Sequence, residues 1–195
     1  MLDVGCGSGV ITSHLGKRGA RAIGIDANPR AIDFARERFG TEDVSFHLGL
    51  VDEAFSLDCR VDKIYCLELI EHVYRPQAVT MLERFRGLLR PGGSLFLTTP
   101  NYRSMWPIME WIMDRSGRFP AMAGAQHVEF YRGETLRGLC RDAGFEPVSV
   151  VSMGVVSPWL AFLSWRAAER CLDLELRLPL LVGPVLVCLA RQREA

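Results

Sequence analysis

A doubly wound α/β domain, Rossmann-like and with a mostly parallel sheet, is the fold this sequence predicts. Three observations predict it. Short apolar β-rich runs alternate with amphipathic stretches, a glycine-rich loop directly follows the first run, and 195 residues suit one domain around a single core. No internal repeat, low-complexity tract or linker interrupts the chain, so one domain is expected over 1–195.

Met1 to Val4 reads as the end of a first strand, Gly5-Cys6-Gly7-Ser8-Gly9 as the loop that stops it, and the residues to about Lys17 as a helix. Arg21 to Ile25 is a second strand ending at Asp26. Pro29 suits the start of a helix over Ala31 to Phe39, where its fixed φ fits and its missing N–H is not needed. Val44 to Leu48 is a third strand and Val61 to Cys66 a fourth. From Ala78 to Leu89, the apolar positions Val79, Leu82, Phe85 and Leu89 keep helical spacing until Pro91-Gly92-Gly93 breaks it. Ser94 to Thr98 is a fifth strand, Glu134 to Asp142 a helix with Gly144 at its C-terminus, Pro147 to Met153 a sixth strand and Val185 to Ala190 a seventh. Segments at about 101–126 and 156–178 exceed a minimal alternating sheet. Both are rich in Trp, Met, Phe and Leu, and they are candidate lids over a pocket.

Lys+Arg and Asp+Glu balance at 23 each, which argues against a basic nucleic-acid-binding surface, and 49% hydrophobic residues argue against disorder. The six cysteines form no C-x-x-C pair and no zinc-like cluster. Neither a disulfide framework nor a structural metal is indicated, and a reducing, cytoplasmic compartment is expected. The longest apolar stretch, Leu178 to Ala190, is broken by Pro179, Gly183 and Pro184 and is too short for a membrane-spanning helix.

The chemistry concentrates in Asp3-Val4-Gly5-Cys6-Gly7-Ser8-Gly9. Glycines there let the backbone turn and approach a ligand, although a tight strand-to-helix turn alone would need the same residues. Asp3 ends the first strand where a pyrophosphate would be repelled and a cationic sulfonium or amine attracted. Asp26 stands at the end of the second strand, where an acid can accept both hydroxyls of a ribose; capping the following helix is its alternative role.

These residues resemble those of the class I S-adenosylmethionine-dependent methyltransferases. Four ordered motifs carry the resemblance: Leu2-Asp3-Val4-Gly5-Cys6-Gly7-Ser8-Gly9, Ile23-Gly24-Ile25-Asp26, Cys66-Leu67-Glu68-Leu69-Ile70-Glu71-His72-Val73, and Leu88-Leu89-Arg90-Pro91-Gly92-Gly93-Ser94-Leu95. The chain is most similar to the small-molecule branch that includes the ubiquinone-biosynthesis O-methyltransferases. Gln126-His127-Val128-Glu129-Phe130 and Ala143-Gly144-Phe145 are looser matches. The resemblance implies a seven-stranded sheet with an antiparallel last strand and S-adenosylmethionine as cofactor. It puts Asp3, Gly5 and Gly7 at the methionine end with Cys6 and Gly9 in the same loop, Asp26 at the ribose, Ala27, Leu50 and Val51 at the adenine, and Leu67 beside the methyl group. Asp52 and Glu53 stand a little beyond the position where many members carry an acid after the third strand. The family's first strand is longer and preceded by helices, so the expectation is an N-terminally short domain, either a fragment or a chain whose true start lies upstream.

Methyl transfer from a sulfonium is an in-line displacement, leaving positioning and removal of the acceptor's proton to the protein. Glu68, Glu71 and His72, at i, i+3 and i+4, converge on one face of a helical turn and could handle that proton or hold a divalent cation; supporting a helix start is their plainer role. His127 is a second candidate base. Trp106, Met109, Trp111, Ile112 and Met113 read as the wall of an apolar acceptor site or as ordinary core. Trp159 to Trp165 and the amphipathic stretch after it read as cover for a lipophilic substrate, peripheral membrane contact, packing or a dimer contact. The expected activity is methylation of a small lipophilic acceptor at oxygen. A truncated or non-catalytic S-adenosylmethionine-binding module is the alternative, and a nicotinamide-dependent oxidoreductase is disfavoured by Asp3 and by G-x-G-x-G in place of G-x-G-x-x-G.

Overall fold

The computed structural model describes residues 1–51, 57–58, 60–117, 126–161, 163–177 and 182–193. Its strands are β1 (Leu2–Val4), β2 (Ala22–Asp26), β3 (Val44–Leu48), β4 (Val61–Leu67), β5 (Leu89–Pro100), β6 (Phe145–Met153) and β7 (Val185–Gln192), in the spatial order β3-β2-β1-β4-β5-β7-β6. The pairings among β1 to β5 are parallel, and β7 runs antiparallel to both β5 and β6. This is the doubly wound sheet with a reversed last strand that was expected.

The helices are α1 (Val10–Lys17), α2 (Pro29–Phe39), α3 (Arg75–Leu88), α4 (Trp106–Ser116), α5 (Gly133–Asp142), α6 (Ser157–Ala161) and α7 (Trp165–Arg177). Local chemistry sets their starts. Asn28 Oδ1 accepts the amides of Arg30 and Ala31 at 3.1 and 3.3 Å, with Pro29 in the first turn, so Asn28 and not Asp26 caps α2. The first turn of α3 includes Pro76, and the Arg75 amide donates to Glu129 Oε1 at 2.8 Å, so this helix begins three residues before the predicted Ala78. β5 begins earlier than the predicted Ser94. Leu89 pairs with Val61 before the register jumps to Lys63 and Ser94, so the Pro91-Gly92-Gly93 break is carried as an irregularity within the strand.

Leu2, Ile64, Cys66, Leu95 and Leu97 from the sheet pack fully buried with Leu82 and Phe85 of α3 and Leu136 and Leu139 of α5. A second cluster, Ile32, Ala35, Val44 and Phe46, lies under α2. Each large apolar side chain so buried contributes about 1.5–3 kcal/mol. The segment at about 101–126 contains α4, and that at about 156–178 contains α6 and α7. Asp52, Glu53, Cys59, Phe162 and the side chain of Trp159 lie outside the described residues. Among the described residues, no helix is long and apolar enough to cross a membrane.

Candidate functional site

The carboxyl ends of β1, β2 and β3 meet around a cavity of about 600 Å³ whose lining includes Gly5, Asp26, Ala27, Leu50, Val51 and Leu69. Four amides of the glycine loop turn inward. Those of Gly5 and Cys6 donate to the Ile25 carbonyl at 2.9 and 3.1 Å, Gly9 donates to the Cys6 carbonyl at 2.9 Å, and Gly7 donates to Asp26 Oδ2 at 2.9 Å. Amides so engaged do not form a cradle for a pyrophosphate, and the neighbouring carboxylates favour a ligand of positive charge. Asp26 also accepts the Asn28 amide on Oδ1 at 2.8 Å. Each of its oxygens therefore has one fixed donor and one lone pair left for a ligand hydroxyl.

Asp3 is buried beneath the loop and absent from the cavity lining, where its carboxylate accepts the Thr12 hydroxyl at 2.6 Å. Burial raises its pKa. Burial, with the charges of Asp3 and Asp26, pushes the Cys6 thiol up to about 12, so this cysteine stays an unreactive thiol at neutral pH.

A second set of groups gathers beyond β4. Glu68 takes φ +49°, the one positive φ of a non-glycine residue among the described residues, and its amide meets the Thr98 carbonyl and Oγ1 at 3.1 and 3.2 Å. The helical turn then spans only Ile70–His72, so the expected i, i+3, i+4 face including Glu68 does not form. His127 joins Glu71 and His72 through tertiary contacts, and the Glu68 carboxyl stays near enough for the charges of His127 and His72 to act on it. The amides of Val128 and Glu129 donate to the Glu71 carbonyl at 2.9 and 3.2 Å, and His72 Nδ1 lies 2.8 Å from the Gln126 carbonyl. These bonds bring the His72 and His127 rings to 5.1 Å. One donor atom each from Glu71, His72 and His127 lies within 4.8 Å of the others, a set that could share a proton or hold a divalent cation. Glu71 is buried and accepts the Thr99 hydroxyl at 3.0 Å. Burial, then the charge of Glu68, pushes its carboxyl up to about 8. Burial raises Glu68 as well.

Comparison with known proteins bears on this site. A family model described as "Methyltransferase domain" matches residues 1–150. The ubiquinone biosynthesis O-methyltransferase of Cereibacter sphaeroides is 31% identical over 183 residues, 89% of this chain and 69% of that protein. The chain belongs to the class I S-adenosylmethionine-dependent methyltransferases. The enzyme of the same name from Coxiella burnetii is 38% identical over 103 residues, 52% of this chain, and the match spans 43% of that relative's length. A solved S-adenosylmethionine-dependent methyltransferase from Archaeoglobus fulgidus has the same fold, with a TM-score of 0.70 at 17% identity, covering 98% of this chain and 85% of that one.

On this methyltransferase fold, Gly5, Asp26, Ala27, Leu50 and Val51 line one cavity, while Asp3, Cys6, Gly7, Gly9 and Leu67 stand outside its lining. Helix α4 corrects the ordinary-core reading of Trp106, Met109, Trp111, Ile112 and Met113. None of the five is buried, and the one buried residue of the helix is Glu110. Glu110 Oε1 lies 2.6 Å from His127 Nδ1, and the Tyr102 hydroxyl donates to the same carboxylate at 2.8 Å. Neither Glu110 nor Tyr102 was legible as a site residue. The available signal was a lone acid inside the Trp106–Met113 apolar run.

Proposed function

We propose that this methyltransferase moves the methyl group of S-adenosylmethionine to a small, lipophilic acceptor, at oxygen. The observation that carries the reading is the pairing of an oriented ribose acceptor, Asp26, with the cluster of buried Glu71, exposed His72 and buried His127 farther along the same sheet edge. The names of the 28–38% identical relatives support oxygen and an aromatic acceptor of the ubiquinone class. The exposed apolar residues Ile108, Trp111 and Ile112 on α4 suit a lipophilic substrate, and peripheral contact with a membrane surface belongs to the same reading.

Bound S-adenosylmethionine supplies an electrophilic methyl carbon on a sulfonium. Asp26 would accept the ribose hydroxyls, Ala27, Leu50 and Val51 would hold the adenine, Gly5 and Gly7 would give the methionine end close backbone approach, and Leu67 would stand on the methyl side. Its transfer to an acceptor oxygen would leave the electron pair of the broken carbon–sulfur bond on sulfur, so the protein's own task is to hold the acceptor in line and take its proton. The acceptor's proton goes to an imidazole nitrogen of the His72 and His127 pair, with His127 the better shielded and the better fixed. Glu71, which keeps its own proton at neutral pH, adds no competing negative charge.

Calorimetric titration with S-adenosylhomocysteine tests the cofactor site, with a micromolar Kd expected, about −8 kcal/mol. Incubation with S-adenosylmethionine and catechols of increasing chain length, read by mass spectrometry, then tests the acceptor class. Binding without transfer to any acceptor would favour the non-catalytic module, and no binding would remove the reading. Transfer that persists in EDTA assigns the cluster to proton handling, whereas transfer restored only by added Mg²⁺ or Zn²⁺ assigns it to a cation.

A further inference from the structure

Helix α4 is inverted relative to an ordinary surface helix. Ile108, Trp111 and Ile112 are more than half exposed while Glu110 is 2% exposed. A carboxylate taken out of water costs several kcal/mol unless it is fully bonded. Here both oxygens are bonded. Oε1 faces His127 Nδ1 at 2.6 Å, and the Tyr102 hydroxyl reaches Oε1 and Oε2 at 2.8 and 2.9 Å. His127 itself is 5% exposed, with the ring of His72 at 5.1 Å and that of Trp106 at 6.3 Å.

The donor count sets the direction of these bonds. With Glu110 ionised, its carboxylate only accepts, so the proton between Glu110 and His127 sits on Nδ1, and the Tyr102 hydroxyl, which also lies 3.0 Å from Nδ1, gives its single hydrogen to the same carboxylate. That leaves Nε2 of the neutral ring with a lone pair, the reverse of the tautomer free histidine favours. We infer that Glu110 is a positioning residue, through which the lid helix α4 fixes His127 as its Nδ1–H tautomer and so leaves Nε2 available as a base. The inference deepens the methyl-transfer reading, on which the use of Nε2 rests; the tautomer itself does not depend on it.

Long-range proton–nitrogen NMR of the full chain with labelled histidine rings tests this, recorded at alkaline pH where imidazole is neutral. A His127→Gln variant identifies the signals among the four histidines. Wild-type His127 is expected to carry its proton on Nδ1. Glu110→Ala is expected to shift the tautomer ratio by about tenfold or more toward Nε2–H, as loss of a charge-assisted bond implies. Glu110→Gln, which keeps an acceptor oxygen, is expected to restore most of the preference, a rescue that a merely space-filling residue would not give. A wild-type ring protonated on Nε2, or a Glu110→Ala ring unchanged from wild type, overturns the inference. The wild-type spectrum decides even if Glu110→Ala does not fold. Titration of the wild type with S-adenosylhomocysteine separates the two readings, since absent binding would remove methyl transfer and leave the tautomer result standing.

Discussion

Gly7 donates its backbone N–H to the Asp26 carboxylate at 2.9 Å, joining the glycine loop of one βα unit to the end of the next strand. With the Asn28 amide on the other oxygen, the carboxylate is aimed before any ligand arrives. Replacing Asp26 with Ala should weaken S-adenosylhomocysteine binding by about 10–100-fold, the cost of losing charged hydrogen bonds to two hydroxyls. Calorimetry of the variant against wild type checks it, and an unchanged affinity would remove the ribose assignment.

Gly7 and Gly9 share a positive φ and differ in what surrounds them. A Cβ on Gly9, at φ 79°, would lie 2.5 Å from the Phe46 ring and 2.8 Å from the Ala35 Cβ, whereas one on Gly7, at φ 52°, would meet nothing within 4 Å. Gly9→Ala should therefore cost overpacking as well as backbone strain, about 2–5 kcal/mol in all, while Gly7→Ala costs only the strain, about 1–2 kcal/mol. Thermal denaturation measures both. Calorimetry should find the Gly7→Ala protein folded and impaired in cofactor binding, because the backbone strain falls on the amide that holds the Asp26 carboxylate.

Local pattern made most of this fold legible. Val44–Leu48 was read to both of its ends because alternation and flanking polar residues mark a strand without help from the rest of the chain. Asp26 was legible for the same reason: a strand end is a sequence feature, and its partner Gly7 lies in a motif of its own. The cluster was legible as residue types and not as geometry. Spacing of three and four residues presumes a helix, and the φ of +49° at Glu68 breaks that premise one residue after β4. Its replacement, His127, is brought in by amides donating to the Glu71 carbonyl, a tertiary contact that no local pattern encodes. Glu110 was obscured because an apolar run normally buries its apolar face, and α4 buries the acid.

The Glu71 carboxyl, pushed up to about 8 by burial and by Glu68, links stability to pH. Its folded pKa lies above the unfolded one, so the folded state binds the proton more tightly. The stability this contributes is fully present below the unfolded value of 4.5 and is lost up to about pH 8, at about 1.4 kcal/mol per pH unit. Glu71→Gln has nothing to ionise and can still accept from Thr99. Its melting temperature should exceed that of wild type at pH 8 by more than it does at pH 5, and parallel melts over that range would contradict the shift.

Glu175 of α7 carries the opposite sign. Its carboxylate accepts the amides of Gly154, Val156 and Ser157 at 2.9, 2.6 and 3.1 Å and the Ser157 hydroxyl at 2.8 Å, fastening α7 to the turn between β6 and α6. Burial alone would raise its pKa, but these four donors outweigh burial and hold it below 4.5. A depressed folded pKa means that the stability is present above the unfolded value and is lost as pH falls through the folded one. Glu175→Gln should cost about 1–3 kcal/mol at neutral pH, because its amide NH₂ faces donors where the second oxygen stood. Hydrogen exchange should speed up across Trp165–Arg177 in this variant at pH 7, with little change in α3. Acidification should bring wild type toward the variant's rates in that helix; equal protection of Trp165–Arg177 in the two proteins at pH 7 would show that α7 is held by its apolar contacts instead.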